Sequence, residues 1–163
     1  MNGVIYPGTF DPITNGHVDI IRRSAQAFGH VLVAVGRNPD KETVFTMEER
    51  VQLVRDATSD VQGVDVEGFD GLLVYFALKK RIRLVVKGLR FVSDFEQEFQ
   101  MAMINRKLDS RLETIFMVSS ETYTYLSSSV IKQIITLGGD VSTLVPRNVE
   151  LALVDRFRLG ARA

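Results

Sequence analysis

Short apolar runs alternate with amphipathic stretches along almost the whole chain. Val4-Ile5-Tyr6 and Val31-Leu32-Val33-Ala34-Val35 are unbroken apolar runs and read as buried strands. Between them, Val18 to Phe28 carries Val18, Ile21, Ala25 and Phe28 at helical spacing, which predicts a helix with one buried face. Thr46-Met47-Glu48-Glu49 fits a capping box, with Thr46 as N-cap, and opens a helix running to about Ala57. Val64-Asp65-Val66-Glu67 predicts a weaker strand, Leu72 to Lys80 a helix, and Leu84-Val85-Val86 a short buried strand. Asp94 is the expected cap of a helix with Phe95, Phe99 and Ala102 on one face. Thr114 to Val118 predicts another strand, and Val130 to Leu137 a helix stopped by Gly138-Gly139. A last helix begins near Asn148, after Pro146. Such alternation predicts an α/β fold: a parallel sheet with helices on both faces, built as one domain over residues 1–163. Ligands of such sheets bind outside the carboxyl ends of the strands, so the loops after Tyr6, Val35, Val86 and Val118 should share one crevice.

Composition narrows the classes. Twenty basic and twenty acidic residues cancel, which argues against a broad nucleic-acid-binding surface and leaves basic groups to act locally. No apolar run approaches the ~20 residues needed to cross a membrane. The N-terminus has no basic stretch and goes straight into a strand, so no signal peptide is expected. Cysteine is absent, which excludes disulfides, thiolate metal sites and cysteine nucleophiles and agrees with a cytoplasmic protein.

The candidate chemistry lies in the loops. Gly8-Thr9-Phe10-Asp11-Pro12-Ile13-Thr14-Asn15-Gly16-His17 sits where the first strand turns into a helix. Backbone N–H groups and the positive end of a helix dipole meet there, which suits a phosphate. A histidine in that place is either a cap or packed side chain, or a cation or neutral N–H donor aimed at phosphate oxygens. Arg37-Asn38-Pro39-Asp40-Lys41 reads as a polar turn, or as the loop bringing Lys41 to an anionic substrate. Lys87-Gly88-Leu89-Arg90 places cations around a glycine directly after a strand, a second anion-type loop. Tyr123-Thr124-Tyr125-Leu126-Ser127-Ser128-Ser129 precedes an apolar helix with Lys132 one turn in; its serines serve equally as caps or as a second phosphate site. The Phe- and Met-rich segment from Phe95 to Met103 is core or subunit contact. Two such helix starts and two basic loops imply a polyphosphate ligand. No Gly-Lys-Ser or Gly-Lys-Thr P-loop and no Gly-x-Gly-x-x-Gly is present.

The turn Gly8-Thr9-Phe10-Asp11-Pro12 with Gly16-His17, paired with Ser127-Ser128-Ser129, resembles the nucleotidyltransferase superfamily. With Phe45 to Arg50, Lys87-Gly88-Leu89-Arg90, Asp94-Phe95-Glu96 and Gly138 to Val141, the chain resembles the bacterial phosphopantetheine adenylyltransferases nearly end to end. The resemblance implies a Rossmann-like fold and transfer of adenylyl from ATP to 4′-phosphopantetheine, with Mg²⁺, in a cytoplasmic homohexamer. It implies that Thr9 and Phe10 meet ATP, that Thr9 also touches the substrate phosphate, and that His17 stabilises the transition state. Lys41, Leu73 and Lys87 would hold phosphopantetheine. Gly88, Leu89, Arg90, Glu98, Tyr123, Thr124, Tyr125, Leu126, Ser127, Ser128 and Ser129 would line the nucleotide site. Lys87 stands where arginine is also at home, and Gln97 where tyrosine is expected. Lys41, Leu73 and Lys87 disfavour a transferase for nicotinamide mononucleotide or a sugar phosphate. His17 and the basic loops disfavour a non-catalytic nucleotide sensor.

Overall fold

The computed structural model of the chain describes residues 3–37 and 42–160. Five strands form one parallel sheet: β1 (Val4–Gly8), β2 (Val31–Gly36), β3 (Val64–Phe69), β4 (Leu84–Leu89) and β5 (Glu113–Val118). Their order is β3-β2-β1-β4-β5. The chain winds outward from β1 through β2 to β3, then returns to the other side of β1. That reversal makes β1/β4 the topological switch point, where crevices open at the strand carboxyl ends.

Alternation along the strands sorts side chains into two layers. Val4, Tyr6, Val31, Val33, Val35 and Val86 face the larger core, which α1 (Asn15–Phe28), α2 (Met47–Ala57), α5 (Ser128–Thr136) and α6 (Arg147–Gly160) cover. Ile5, Leu32, Ala34 and Val85 face a smaller one, closed by Val74, Phe76 and Ala77 of α3 (Leu73–Lys80). α4 (Val92–Leu108) packs beside α3 and against β4 and β5, yet Asn105 is its only buried residue. Phe91, Val92, Phe95, Phe99, Met101, Met103, Ile104 and Leu108 stay exposed. Of the two roles read for the Phe- and Met-rich segment, core packing within this chain therefore accounts for little of it.

Every expected element is present, with shifted bounds. The capping box at Thr46 and Glu49 forms as read. α1 begins at Asn15, three residues before the apolar stripe, because Thr14 caps it. Its buried residues are Ile20, Ile21, Ser24 and Ala25, with Val18 and Phe28 packed at the margin. β4 continues through Lys87, Gly88 and Leu89, so these residues belong to the strand's end rather than to a loop after it. α4 starts from Phe91 without a side-chain cap, and Asp94 lies in its first turn, where its carboxylate takes the Arg90 side chain instead. α5 starts at Ser128, with Ser127 as cap.

Ile21 is fully buried between α1 and the sheet. In urea unfolding, Ile21→Ala should cost about 2–5 kcal/mol, the range for a large-to-small change in a filled core. Gln26→Ala, on the exposed face of the same helix, should stay within about 0.5 kcal/mol. Comparable losses at both positions would mean that this helix face does not carry the core.

Candidate active site

A cleft of ~420 Å³ opens at the switch point. Its walls are the end of β1 and the loop after it, the first turn of α1, the end of β4, the first half of α4, and the segment from Ser119 to Lys132. A second hollow of ~500 Å³ runs along the edge strand β3. There His30 is paired with Asp65 and Lys80 with Glu67, and the helix ends that line it are carboxyl ends. Only the first has the groups an anion needs.

His17 occupies the third position of α1 and closes a reciprocal cap with Thr14. The Thr14 backbone N–H donates to His17 Nδ1 at 3.0 Å, and the His17 N–H points back to Thr14 Oγ1 at 3.4 Å. The Thr14 hydroxyl lies 3.0 Å from Nδ1 as well. This is the geometry in which Glu or Gln usually serves. Since Nδ1 accepts, the ring proton sits on Nε2. Burial, with a smaller push from Arg90, lowers the His17 pKa to about 4. Of the two forms the sequence left open, the neutral Nε2–H donor is the one this environment selects. The Phe10 ring meets the imidazole edge-on at 5.2 Å and walls it from the core.

Two helices aim their starts into the cleft, α1 and α5, and neither carries an acidic residue in its first turn. α2, α4 and α6 all do. The N–H groups of Gly16, Ser128 and Ser129 have no partner among the described residues. Their orphan donors and the uncompensated dipoles are left for an anionic ligand. Gly16 sits close under Tyr123: a Cβ there would stand 3.3 Å from Tyr123 Cβ, so a side chain fits only if Tyr123 shifts. Three cations line the same space, each tied to a carboxylate: Lys87 to Glu98 at 3.1 Å, Arg90 to Asp94 at 3.0 Å, and Lys132 to Asp11 at 3.0 Å. A polyanion can recruit them only by competing with those partners.

Sequence reasoning missed the groups that hold the walls in place. Arg50, 3 % exposed, donates to the carbonyls of Phe45, Thr9 and Gly36, tying the ends of β1 and β2 to the start of α2. Its signal was present: Arg50 lies one turn before buried Val54, on the apolar face. Asp11, equally buried, accepts from the N–H groups of Val44 and Phe45, each at 3.0 Å, and from Lys132. Gly8 carries the Phe10 ring directly above it; a Cβ there would come within 2.8 Å of that ring.

Thr9, Phe10, His17, Lys87, Gly88, Arg90, Glu98, Tyr123, Leu126, Ser127, Ser128 and Ser129 all line the cleft. Phe10 does so as a residue only 2 % exposed, so it forms the floor of the cleft rather than an open ring face. Four candidates do not line it. Leu73 packs against the smaller core. The Leu89 carbonyl accepts from the Ser119 N–H and hydroxyl, the Thr124 hydroxyl donates to the Ser120 carbonyl, and Tyr125 is exposed. Lys41 lies outside the described residues.

The sequence profile of the family described as Cytidylyltransferase-like matches residues 5–134. A phosphopantetheine adenylyltransferase of Moorella thermoacetica is 52% identical over 157 residues, covering 96% of this chain and 98% of the relative. One of Clostridium novyi is 49% identical with the same coverage, and one of Caldanaerobacter subterraneus is 49% identical over 97% of this chain and 99% of its own. Among solved structures, a Vibrio parahaemolyticus protein assigned as a nicotinate-nucleotide adenylyltransferase superposes with a TM-score of 0.67 at 22% identity, over 94% of this chain and 99% of that one. The last likeness bears on the fold alone.

An unfolded histidine titrates near 6.5, whereas His17 is held at about 4 in the folded chain. In that window the unfolded state binds the proton and the folded state does not. Its contribution to stability is therefore complete above about pH 6.5 and is lost as pH falls towards about 4. Urea unfolding followed from about pH 7.5 down to about pH 4.5 should show that loss, and His17→Gln should flatten it. Identical pH slopes in the two proteins would place the titrating group elsewhere.

Proposed function

Because the chain belongs to the phosphopantetheine adenylyltransferase family of the cytidylyltransferase-like superfamily, we propose that it transfers the adenylyl group of ATP to 4′-phosphopantetheine. The products are dephospho-coenzyme A and pyrophosphate, and the reaction is the penultimate step of coenzyme A synthesis. The observation that carries this reading is the pairing of a neutral His17 with two acid-free helix starts over one cleft.

An oxygen of the acceptor phosphate attacks the α-phosphorus of ATP. A P–O bond forms there as the bond to the bridging oxygen breaks, and pyrophosphate leaves with the electron pair. The acceptor phosphate is already anionic at neutral pH, so the step needs no strong base. It needs two anions held in line, and donors where charge accumulates. His17 Nε2–H is such a donor, aimed at an α-phosphate oxygen. The α5 start, with Ser127, Ser128 and Ser129, and Arg90 take the phosphates of ATP, while Gly88 and Glu98 face its nucleoside. Thr9 and Lys87 meet the acceptor phosphate, together with Lys41; Leu73 belongs to the same acceptor side in this reading. Mg²⁺ would be held chiefly by the phosphates of ATP and would supply positive charge to offset that of the leaving pyrophosphate. Among the described residues no three metal-ligating side chains converge. No helix among the described residues is long and apolar enough to cross a membrane, and the same reading puts the reaction in the cytoplasm. The exposed apolar face of α3 and α4 supports a homohexamer: Leu72, Tyr75 and Leu78 add to the α4 side chains on that side of the sheet. Sedimentation equilibrium tests it, and a monomer at micromolar concentration contradicts it.

With Mg²⁺ and ATP, the protein should release pyrophosphate when given 4′-phosphopantetheine, and little with pantetheine or nicotinamide mononucleotide. His17→Ala should lower turnover about a hundredfold to a thousandfold, the effect of removing one oxyanion donor, with ATP affinity much less changed. A mutant that turns over within a few-fold of the parent removes His17 from the reaction. Faster reaction with nicotinamide mononucleotide than with 4′-phosphopantetheine removes the acceptor assignment.

A further inference from the structure

We propose that the hydroxyl of Tyr6 is a further nucleotide-binding group, donating a hydrogen bond to a ribose or α-phosphate oxygen of ATP. The inference rests on the reading of the cleft as an ATP site.

Tyr6 lies in β1 and is 5 % exposed, with its ring edge-on to Phe10 at 5.5 Å. What remains open of it lines the cleft. Other buried polar side chains at this cleft find partners inside the chain. Asp11 holds two N–H groups and an ammonium, and Thr14 is engaged with His17. Arg50, just behind the wall, is bound to three carbonyls. The Tyr6 hydroxyl has no partner among the described residues. With the ring buried and only its polar end open to the cleft, the hydroxyl is held in place with its hydrogen-bonding capacity free for a ligand.

The neighbours of that hydroxyl favour the nucleotide over the acceptor. Along β4, Val85 and Val86 face opposite cores, so Lys87 and Gly88 face opposite layers too. Tyr6 shares its layer with Val86, and hence with Gly88. A Cβ on Gly88 would stand 3.6 Å from the Tyr6 oxygen. Glycine at this position therefore keeps the space beside the hydroxyl clear. Lys87 leaves the strand on the other face and reaches the same cleft from there to pair with Glu98. The charges felt most at Tyr6 are Arg90, Glu98 and Asp19, of which the first two line the cleft with Gly88. Burial raises the phenol's pKa well above its ordinary range, so the group stays a donor and matches the acceptor oxygens of a nucleotide.

Tyr6→Phe removes only the hydroxyl and keeps the ring packed on Phe10. Calorimetric titration with ATP, without acceptor, should show binding weakened roughly three- to tenfold, as for loss of one neutral hydrogen bond. Affinity for 4′-phosphopantetheine should change less than about twofold. In turnover, KM for ATP should rise by a similar factor while kcat stays within about twofold. Titrations with adenosine and AMP locate the contact: a loss shared by adenosine assigns the ribose, and a loss confined to AMP and ATP assigns the α-phosphate. Unchanged ATP affinity overturns the proposal, whatever happens to the unfolding midpoint, because a purely structural hydroxyl would move stability alone. Equal weakening of both substrates overturns it as well. The ATP titration needs no acceptor, so a wild-type protein inactive on 4′-phosphopantetheine would refute the acceptor assignment and leave the Tyr6 result readable.

Discussion

The reciprocal cap between Thr14 and His17 is the contact from which the rest of the site follows. It starts α1 three residues earlier than the apolar stripe alone would, and so brings Gly16 and His17 into the helix's first turn. It occupies Nδ1, which leaves the proton on Nε2. It also holds the imidazole where burial keeps it neutral. An isolated cation there would repel Arg90; a neutral donor does not. A helix cap, normally a local stability device worth about 1 kcal/mol, thereby fixes the protonation state of the group at the centre of the cleft.

Around that point the chain balances its own charge. Lys87, Arg90 and Lys132 each meet a carboxylate from another wall or the next turn. Cation-only walls would repel one another in the empty cleft. The pairing keeps the walls together until phosphates compete for the cations, and the helix starts then add donors that no side chain of the protein claims. Arg50 and Asp11 do the complementary work from behind. They bind backbone rather than ligand, and they join the ends of β1 and β2, the start of α2 and the side of α5 into one frame. Rigid placement of two anions in line is the main demand of phosphoryl-type transfer, and these buried charges meet it.

Much of this was legible in the sequence because the signals are local. Strand runs, the Thr46 capping box and the glycine stop after α5 each follow from neighbouring residues, and the order of elements predicts where the crevice lies. The errors have physical causes. Lys87-Gly88-Leu89 looked like a loop because charge and glycine interrupt an apolar run, but pairing with Phe116, Met117 and Val118 of β5 extends the strand. Asp94 looked like a cap, and instead binds Arg90, four residues earlier and just past the end of β4. The roles of Arg50 and Asp11 depend on tertiary contacts across 14 to 121 positions, which no local pattern reveals. Leu73 packs against the smaller core rather than the cleft, because side-chain direction, not residue type, decides its partner.

The central claim is that His17 works as a neutral Nε2–H donor. Nitrogen-15 NMR of the histidine rings, recorded near pH 6 with and without MgATP, tests it directly. The account predicts a pyridine-type Nδ1 and a protonated Nε2 for His17 in both states, with the Nε2 resonance shifting as ATP binds. A doubly protonated ring at that pH, or a proton on Nδ1, would contradict it.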